Sequence, residues 1–195
     1  MSETSKLFGH KTLFSNLIYL DQIEKFPNKI LLNGPKGIGK KILVNHLLNY
    51  LYSKNNEHFY DLKNNEYKIN NNLSLLISNN SHPNIFKIQK KKDKKIIDID
   101  QIREMIQFTN QTSFNNERKF IIIEDINILG INSANALLKS IEEPNNKTYY
   151  ILINNSEFKI LETIKSRCLE FKLSLTNSEV IEIVNYYFNS DKYND

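Results

Sequence analysis

The chain of 195 residues has one cysteine (Cys168), five glycines and no tryptophan. A single thiol leaves no partner for an intramolecular disulfide and no ligand set for a cysteine-based zinc cluster. The four histidines, His10, His46, His58 and His82, have no metal-ligand spacing. No apolar run approaches the roughly 20 residues of a membrane span. The polar start Met1-Ser2-Glu3-Thr4-Ser5 lacks the apolar stretch of a secretion signal. These absences lead to the expectation of a soluble, cytoplasmic protein. A net charge of +4 permits a nucleic-acid partner but does not require one. The length suits one α/β domain, or one domain with part of another, and a 40% hydrophobic content can fill its core.

Because glycine is scarce, its placing is informative. Three of the five lie in Ile30-Leu31-Leu32-Asn33-Gly34-Pro35-Lys36-Gly37-Ile38-Gly39-Lys40-Lys41, marking a backbone that takes positive φ or approaches a ligand closely. The stretch reads as a short apolar strand, a glycine-rich turn and the start of an amphipathic helix. Its spacing Gly-x-x-x-x-Gly-Lys, from Gly34 to Lys40, is that of a phosphate-cradling loop. Successive backbone N–H groups form a nest for phosphate oxygens, the helix presents its positive end, and the lysine reaches the β- and γ-phosphates. The next position is normally Ser or Thr, whose hydroxyl binds Mg²⁺. Here it is Lys41.

Leu13, Leu17, Ile18 and Leu20 form a helical stripe that stops at Phe26-Pro27. A strand over 29–33 precedes the loop, and Ile42, Leu43, Leu47, Leu48 and Leu51 mark the buried face of the helix after it. Between Ser53 and His82, asparagine clusters such as Asn55-Asn56 and Asn70-Asn71-Asn72 suggest a loop with one helix around Leu73 to Ile77. A strand over 84–88 runs into Lys90-Lys91-Lys92-Asp93-Lys94-Lys95. Those lysines read as a solvated loop, with a phosphate-backbone contact as the alternative. Asp98 and Asp100 cap a helix carrying Ile102, Met105 and Ile106. Lys119 to Ile123 is an apolar strand closed by Glu124-Asp125, and a helix over 134–141 is introduced by Asn132-Ser133. A strand over 149–153 ends at Asn154-Asn155, a short helix covers 159–165, and the last strand covers 169–172. Thr176 and Glu179 make a capping box for a final helix with Val180, Ile181, Val184 and Phe188.

Short apolar strands alternating with helices specify an α/β fold: a mostly parallel sheet of five strands with helices on both faces. Ligands of such sheets bind beyond the carboxyl ends of the strands, where Gly34, Glu124, Asp125 and Asn155 all lie. Nucleotide hydrolysis needs a phosphate cradle, a carboxylate associated with Mg²⁺, a second carboxylate orienting water, and a cation for the developing charge. Glu124 and Asp125 are candidates for the carboxylates and Arg167 for the cation. Without such a role, the first two are a solvated strand-end pair and the third a surface arginine in a salt bridge. A nucleotide kinase or GTPase would share the loop alone, but the guanine-selective string Asn-Lys-x-Asp does not occur.

Glu124-Asp125, then Asn135-Ala136-Leu137-Leu138-Lys139-Ser140-Ile141-Glu142-Glu143-Pro144, then Thr163-Ile164-Lys165-Ser166-Arg167-Cys168 resemble the AAA+ modules of bacterial clamp loaders, in detail the delta-prime type of DNA polymerase III. Leu7-Phe8-Gly9-His10, residues 33–40, His82-Pro83-Asn84 and Ile99-Asp100-Gln101-Ile102-Arg103 resemble the same family, in the same order. The resemblance implies an AAA+ P-loop NTPase domain over residues 1–173 and the incomplete start of a helical lid over 174–195. It implies that Gly34, Pro35, Lys36, Gly37, Ile38, Gly39, Lys40 and Lys41 form the nucleotide loop. Glu124 takes the Mg²⁺-associated position, Asp125 the water-activating one and Asn155 the sensor position, while Phe8, Gly9 and His10 match the segment against the adenine. Arg167 matches an arginine finger that reaches into a neighbouring subunit's site. The implied partners are the gamma/tau and delta subunits and, through the complex, the sliding clamp and primer-template DNA, with no membrane partner.

The departures from the family pattern point one way. Lys41 puts an ammonium where the metal should sit, and two unit charges about 4 Å apart repel by about 4 kcal/mol at an effective dielectric of about 20. Glu124 and Asp125 have exchanged lengths, and a displacement of about 1 Å can lower a rate about 100-fold. The family's four-cysteine zinc module is missing. The resemblance therefore implies a weak or inactive ATPase that binds ATP weakly or not at all and holds neither Mg²⁺ nor zinc. Arg167 would act in trans while the complex loads the clamp during DNA replication. An active gamma/tau-like motor subunit is the alternative. The rest of the family's lid and its collar domain are not in the sequence, so the chain is expected to be a fragment or a short form.

Overall fold

The computed structural model describes residues 4–53 and 60–189. Asn55, Asn56, His58 and residues 190–195 of the expected lid lie outside them. The elements begin with β1 (Thr4–Lys6), α1 (Lys11–Gln22), β2 (Lys29–Gly34), α2 (Lys40–Ser53), β3 (Tyr60–Asp61), β4 (Glu66–Lys68) and α3 (Asn72–Ser78). They continue with β5 (Ile85–Ile88), α4 (Ile99–Asn110), β6 (Lys119–Ile123), α5 (Ile131–Glu142), β7 (Thr148–Asn155), α6 (Glu162–Lys165), β8 (Leu169–Lys172) and α7 (Asn177–Asn189).

Five strands form one sheet in the order β5-β6-β7-β2-β8, and every neighbouring pair in it is parallel. These are the five strands read from the sequence, four of them mainly apolar and the fifth, β8 at the sheet edge, alternating as Leu-Glu-Phe-Lys. Parallel strands are covered on both faces, so they need apolar side chains at successive positions. Ile121 and Ile123 face one side with Leu31, Tyr150 and Leu152, and pack against Ile102 and Met105 of α4 and Leu137 and Ile141 of α5. Phe120 and Ile122 face the other side with Ile30, Leu32, Ile151 and Ile153, against Phe14 and Leu17 of α1 and Leu43 and Leu47 of α2. The result is a sheet between two helical layers.

Some boundaries differ from the sequence reading. The first helix ends at Gln22 rather than near Phe26, because Glu24 turns into the left-handed region (φ 57°). Phe26 then folds into the core against Phe120 and Tyr149. Ser133 does not introduce α5. Its hydroxyl donates to the Ile97 carbonyl at 3.0 Å, and the helix starts earlier, at Ile131. The short helix expected over 159–165 is confined to Glu162–Lys165. The asparagine-rich stretch holds α3, as expected, but also β3 and β4, which join β1 in a small antiparallel sheet ordered β1-β4-β3. His46 of α2 anchors that sheet by bridging the hydroxyls of Tyr60 (2.9 Å) and Ser5 (3.2 Å).

Two further interactions tie the layers together. Arg118, just before β6, pairs at 2.5 Å with the fully buried Asp21 of α1, its guanidinium lying over the rings of Phe26 and Tyr149. The capping box forms as read: Glu179 accepts from the Thr176 N–H at 2.8 Å, and the Glu179 N–H donates to the Thr176 hydroxyl at 3.3 Å. No helix among the described residues is long and apolar enough to cross a membrane.

Candidate functional site

The glycine-rich turn lies at the carboxyl end of β2, between two strand neighbours, and opens beside the first turn of α2. Gly37 and Gly39 have φ of 86° and 92°, which side-chain-bearing residues rarely adopt. Gly34 is required for a different reason: a Cβ there would stand 2.6 Å from the Leu173 carbonyl oxygen. Beside the turn is a cavity of about 330 Å³ lined by Lys36, Gly37, Gly39, Lys40, Lys41, Ile42, Asp125, Ile153 and Asn155. Residues from the loop after β2, from α2, from just beyond β6 and from the end of β7 therefore meet at one place, as their strand-end positions require. Asn155 pairs in register with Gly34, and its amide donates to Glu157 at 3.0 Å. Pro35 and Ile38 belong to the same turn without lining the cavity.

Lys40 is buried, and its Nζ donates to the carbonyls of Gly34 and Pro35 at 2.5 Å each. Burial lowers its pKa, and the opposing pull of Asp125 and Glu157 offsets that only in part. The ammonium thus rests on neutral carbonyls beside two carboxylates, held in the turn that a phosphate chain would enter.

The carboxylates do not act as a pair. Glu124 turns to Lys41, whose Nζ lies 2.5 Å from Oε2; the glutamate side chain is 13% exposed and the lysine 59%. Asp125, in the left-handed region at φ 51°, lines the cavity alone. Lys87 stands on β5 beside this pair, its Nζ donating to the Ile77 carbonyl at 2.9 Å. Burial lowers its pKa, while Glu124 pulls the other way and Lys41 adds to the lowering.

These side chains fit an anion and do not fit a divalent cation. Mg²⁺ requires an octahedron of oxygen ligands at about 2.1 Å. The carboxylate that would approach it is held by one ammonium, with a second nearby. Among the described residues no group of three or more His, Cys, Asp or Glu is placed to hold a metal. A phosphate chain, by contrast, would meet lysines and backbone donors.

Arg167 is not in this cavity. It lies in the turn between α6 and β8, pairs with Glu142 at 2.7 Å, and donates to the Thr163 carbonyl at 2.9 Å. Cys168 beside it is half-buried, and burial pushes its thiol up to about 11, far from a nucleophile's range. Phe8, Gly9 and His10 meet both the loop and α7. Phe8 packs on Tyr186 with centroids 4.5 Å apart, and Gly9 lies under Leu175. The His10 ring donates through Nε2 to the Ile38 carbonyl at 2.7 Å. The lysine run at residues 90–95 is exposed, which suits a solvated loop and a phosphate-backbone contact alike.

Lys87, Glu157 and Glu142 were not singled out from the sequence. Lys87 had a signal, being the one charge inside the apolar strand Ile85-Phe86-Lys87-Ile88. Glu142 stood in the quoted Glu-Glu-Pro string, but its pairing with Arg167 across separate elements leaves no local pattern.

The family model described as DNA polymerase III, delta subunit, matches residues 9–177. The chain is 35% identical over 140 residues to DNA polymerase III subunit delta′ of Pseudomonas aeruginosa, covering 72% of this chain and 41% of that relative. It is 37% identical over 83 residues to DNA polymerase III subunit gamma of Buchnera aphidicola subsp. Schizaphis graminum, covering 43% of this chain and 23% of that relative. A solved DNA polymerase III gamma subunit-related protein from Thermotoga maritima shares the fold with a TM-score of 0.61 at 24% identity, over 87% of this chain and 49% of that one. The chain thus spans less than half the length of each of these proteins. The fold is that of the AAA+ P-loop NTPases.

Proposed function

The chain belongs to the DNA polymerase III delta subunit family, and from that membership we propose that it is a delta-prime-like component of a clamp loader with a silent ATP site. In this reading the complex opens a sliding clamp and sets it on primer-template DNA. The chain's own loop does not hydrolyse ATP, while Arg167 completes the site of a neighbouring gamma/tau-type subunit. The delta subunit is the other expected partner.

One observation carries the silence of the site: the ion pair between Lys41 and Glu124, at 2.5 Å. A hydrolytic site needs that carboxylate for the metal. Asp125, which lines the cavity alone, is one methylene shorter than the glutamate expected to orient a water. The setting of Arg167 supports the second half of the proposal, since a guanidinium outside its own cavity, exposed and held by a surface ion pair with Glu142, is placed to reach another subunit.

The test is turnover by the purified chain alone. The expected result is no Mg²⁺-dependent ATP hydrolysis above background. Turnover on the order of one per second or faster would favour the gamma-like motor reading instead.

A further inference from the structure

Lys36, Lys40 and Lys41 line the cavity beside the loop, and Asp125 is the single carboxylate among its lining residues. Glu124 is outside that lining, held by Lys41 at 2.5 Å and facing Lys87 as well. Lys41 at the cavity wall and Lys87 behind it, outside the lining, thus both act on the carboxylate that a metal would use, and with Glu124 they leave one net positive charge, as one magnesium ion on the same carboxylate would. We propose that the loop takes a polyphosphate chain as the metal-free anion, with Lys41 and Lys87 in the electrostatic role of Mg²⁺. The inference rests on the reading of this loop as a phosphate site that does not hydrolyse its ligand. The role of Arg167 does not enter it.

The geometry makes the metal a competitor rather than a helper. A nucleotide carrying Mg²⁺ arrives with less negative charge, and the ion must settle beside Lys41. The free anion meets neither penalty. It also offers the buried Lys40 charged oxygens in place of the two neutral carbonyls, and hydrogen bonds to charged acceptors are the stronger kind. The mouth of the turn is open to such a chain, because at Gly37 and Gly39 a Cβ would meet nothing within 4 Å. The chemistry recognised is a run of linked phosphates, from a nucleotide or from an inorganic source.

Calorimetric titration of the full chain with ADP, ATP and inorganic pyrophosphate, each in EDTA and in excess Mg²⁺, tests this. The expected result is binding in EDTA that weakens at least about threefold in Mg²⁺, a change of at least about 0.65 kcal/mol. Pyrophosphate binding as ADP does would mean that the phosphates alone are read. Tighter ADP binding would mean that the nucleoside contributes too; both outcomes support the metal-free mode. Lys41→Thr should lose about tenfold in EDTA and gain affinity on adding Mg²⁺, whereas Lys41→Arg should keep the wild-type pattern, with circular dichroism showing each variant folded. Binding by the wild type that weakens less than about threefold or tightens with Mg²⁺, or no heat from any of the three anions in EDTA, would overturn the proposal. Turnover is not read in these titrations, so this failure and that of the silent-ATPase reading are separate results.

Discussion

Arg167 and Glu142 meet at 2.7 Å across the space between the turn before β8 and the last residue of α5. Both side chains are well exposed, so the pair adds at most about 1 kcal/mol to stability. Its effect is directional. With the Thr163 carbonyl as a second acceptor, it holds the guanidinium at the molecular surface.

Arg167→Ala should therefore leave the melting temperature of the chain nearly unchanged. In a reconstituted clamp loader it should lower ATP turnover about 10³-fold at the one site it completes. Steady-state turnover of the complex reads this directly, and an unchanged rate removes Arg167 from catalysis.

Arg118→Met should behave in the opposite way, sparing any assembly role and damaging the fold. It takes the guanidinium from a carboxylate, Asp21, that is fully buried, and removes the cation lying over Phe26 and Tyr149. The expected loss is about 3 kcal/mol, measured by urea unfolding.

Gly34→Ala should cost roughly 1–3 kcal/mol, even though no positive φ is involved there. The added methyl would lie 2.6 Å from the Leu173 carbonyl and 2.7 Å from the Ile38 methyl. The isoleucine end can rotate away; the carbonyl is backbone and cannot. Wild-type stability in Gly34→Ala would show that the chain leaving β8 at Leu173 yields more easily than the packing implies.

The isolated chain should lose stability in mild acid. Burial lowers the His46 pKa from 6.5 to about 4 in the folded chain, so the unfolded chain takes up the proton first. The associated stability is complete above about pH 6.5 and is lost as the pH falls towards 4, by at most about 3 kcal/mol. His82 is lowered to about 4 by the same cause and adds to the slope. Denaturation midpoints between pH 7 and pH 5 should fall in the wild type and fall less in His46→Gln. Equal slopes would place the acid sensitivity elsewhere.

Four of the five strands of the main sheet were legible in the sequence as apolar runs, whereas β8, Leu169-Glu170-Phe171-Lys172 at the sheet edge, was legible from its alternation. The small sheet was not. β1, β3 and β4 are two or three residues long, too short to show alternation, and they are held by His46 from a distant helix. The phosphate turn was legible from its glycines, and the mismatch at position 41 from a single residue. What the sequence could not show was where the displaced charge goes. That Lys41 seeks Glu124, and that Lys87 stands behind it, depends on β5 and β6 lying side by side with Lys87 in register with Ile122. His82-Pro83-Asn84, which figured in the family resemblance, proves to be architecture. Asn84 is buried and pins the 114–117 turn through hydrogen bonds to Phe114 and Glu117.

One carboxylate joins parts of the molecule that the sequence keeps far apart. Glu179 accepts the Thr176 N–H with one oxygen and the His10 N–H with the other, the latter at 3.0 Å, and the His10 ring donates to the carbonyl of Ile38. The start of α7 is thereby geared to the turn through a relay of three residues. Rotation of that helix in an assembly would tug on the backbone between Gly37 and Gly39, a mechanical link that needs no chemistry at the site to operate.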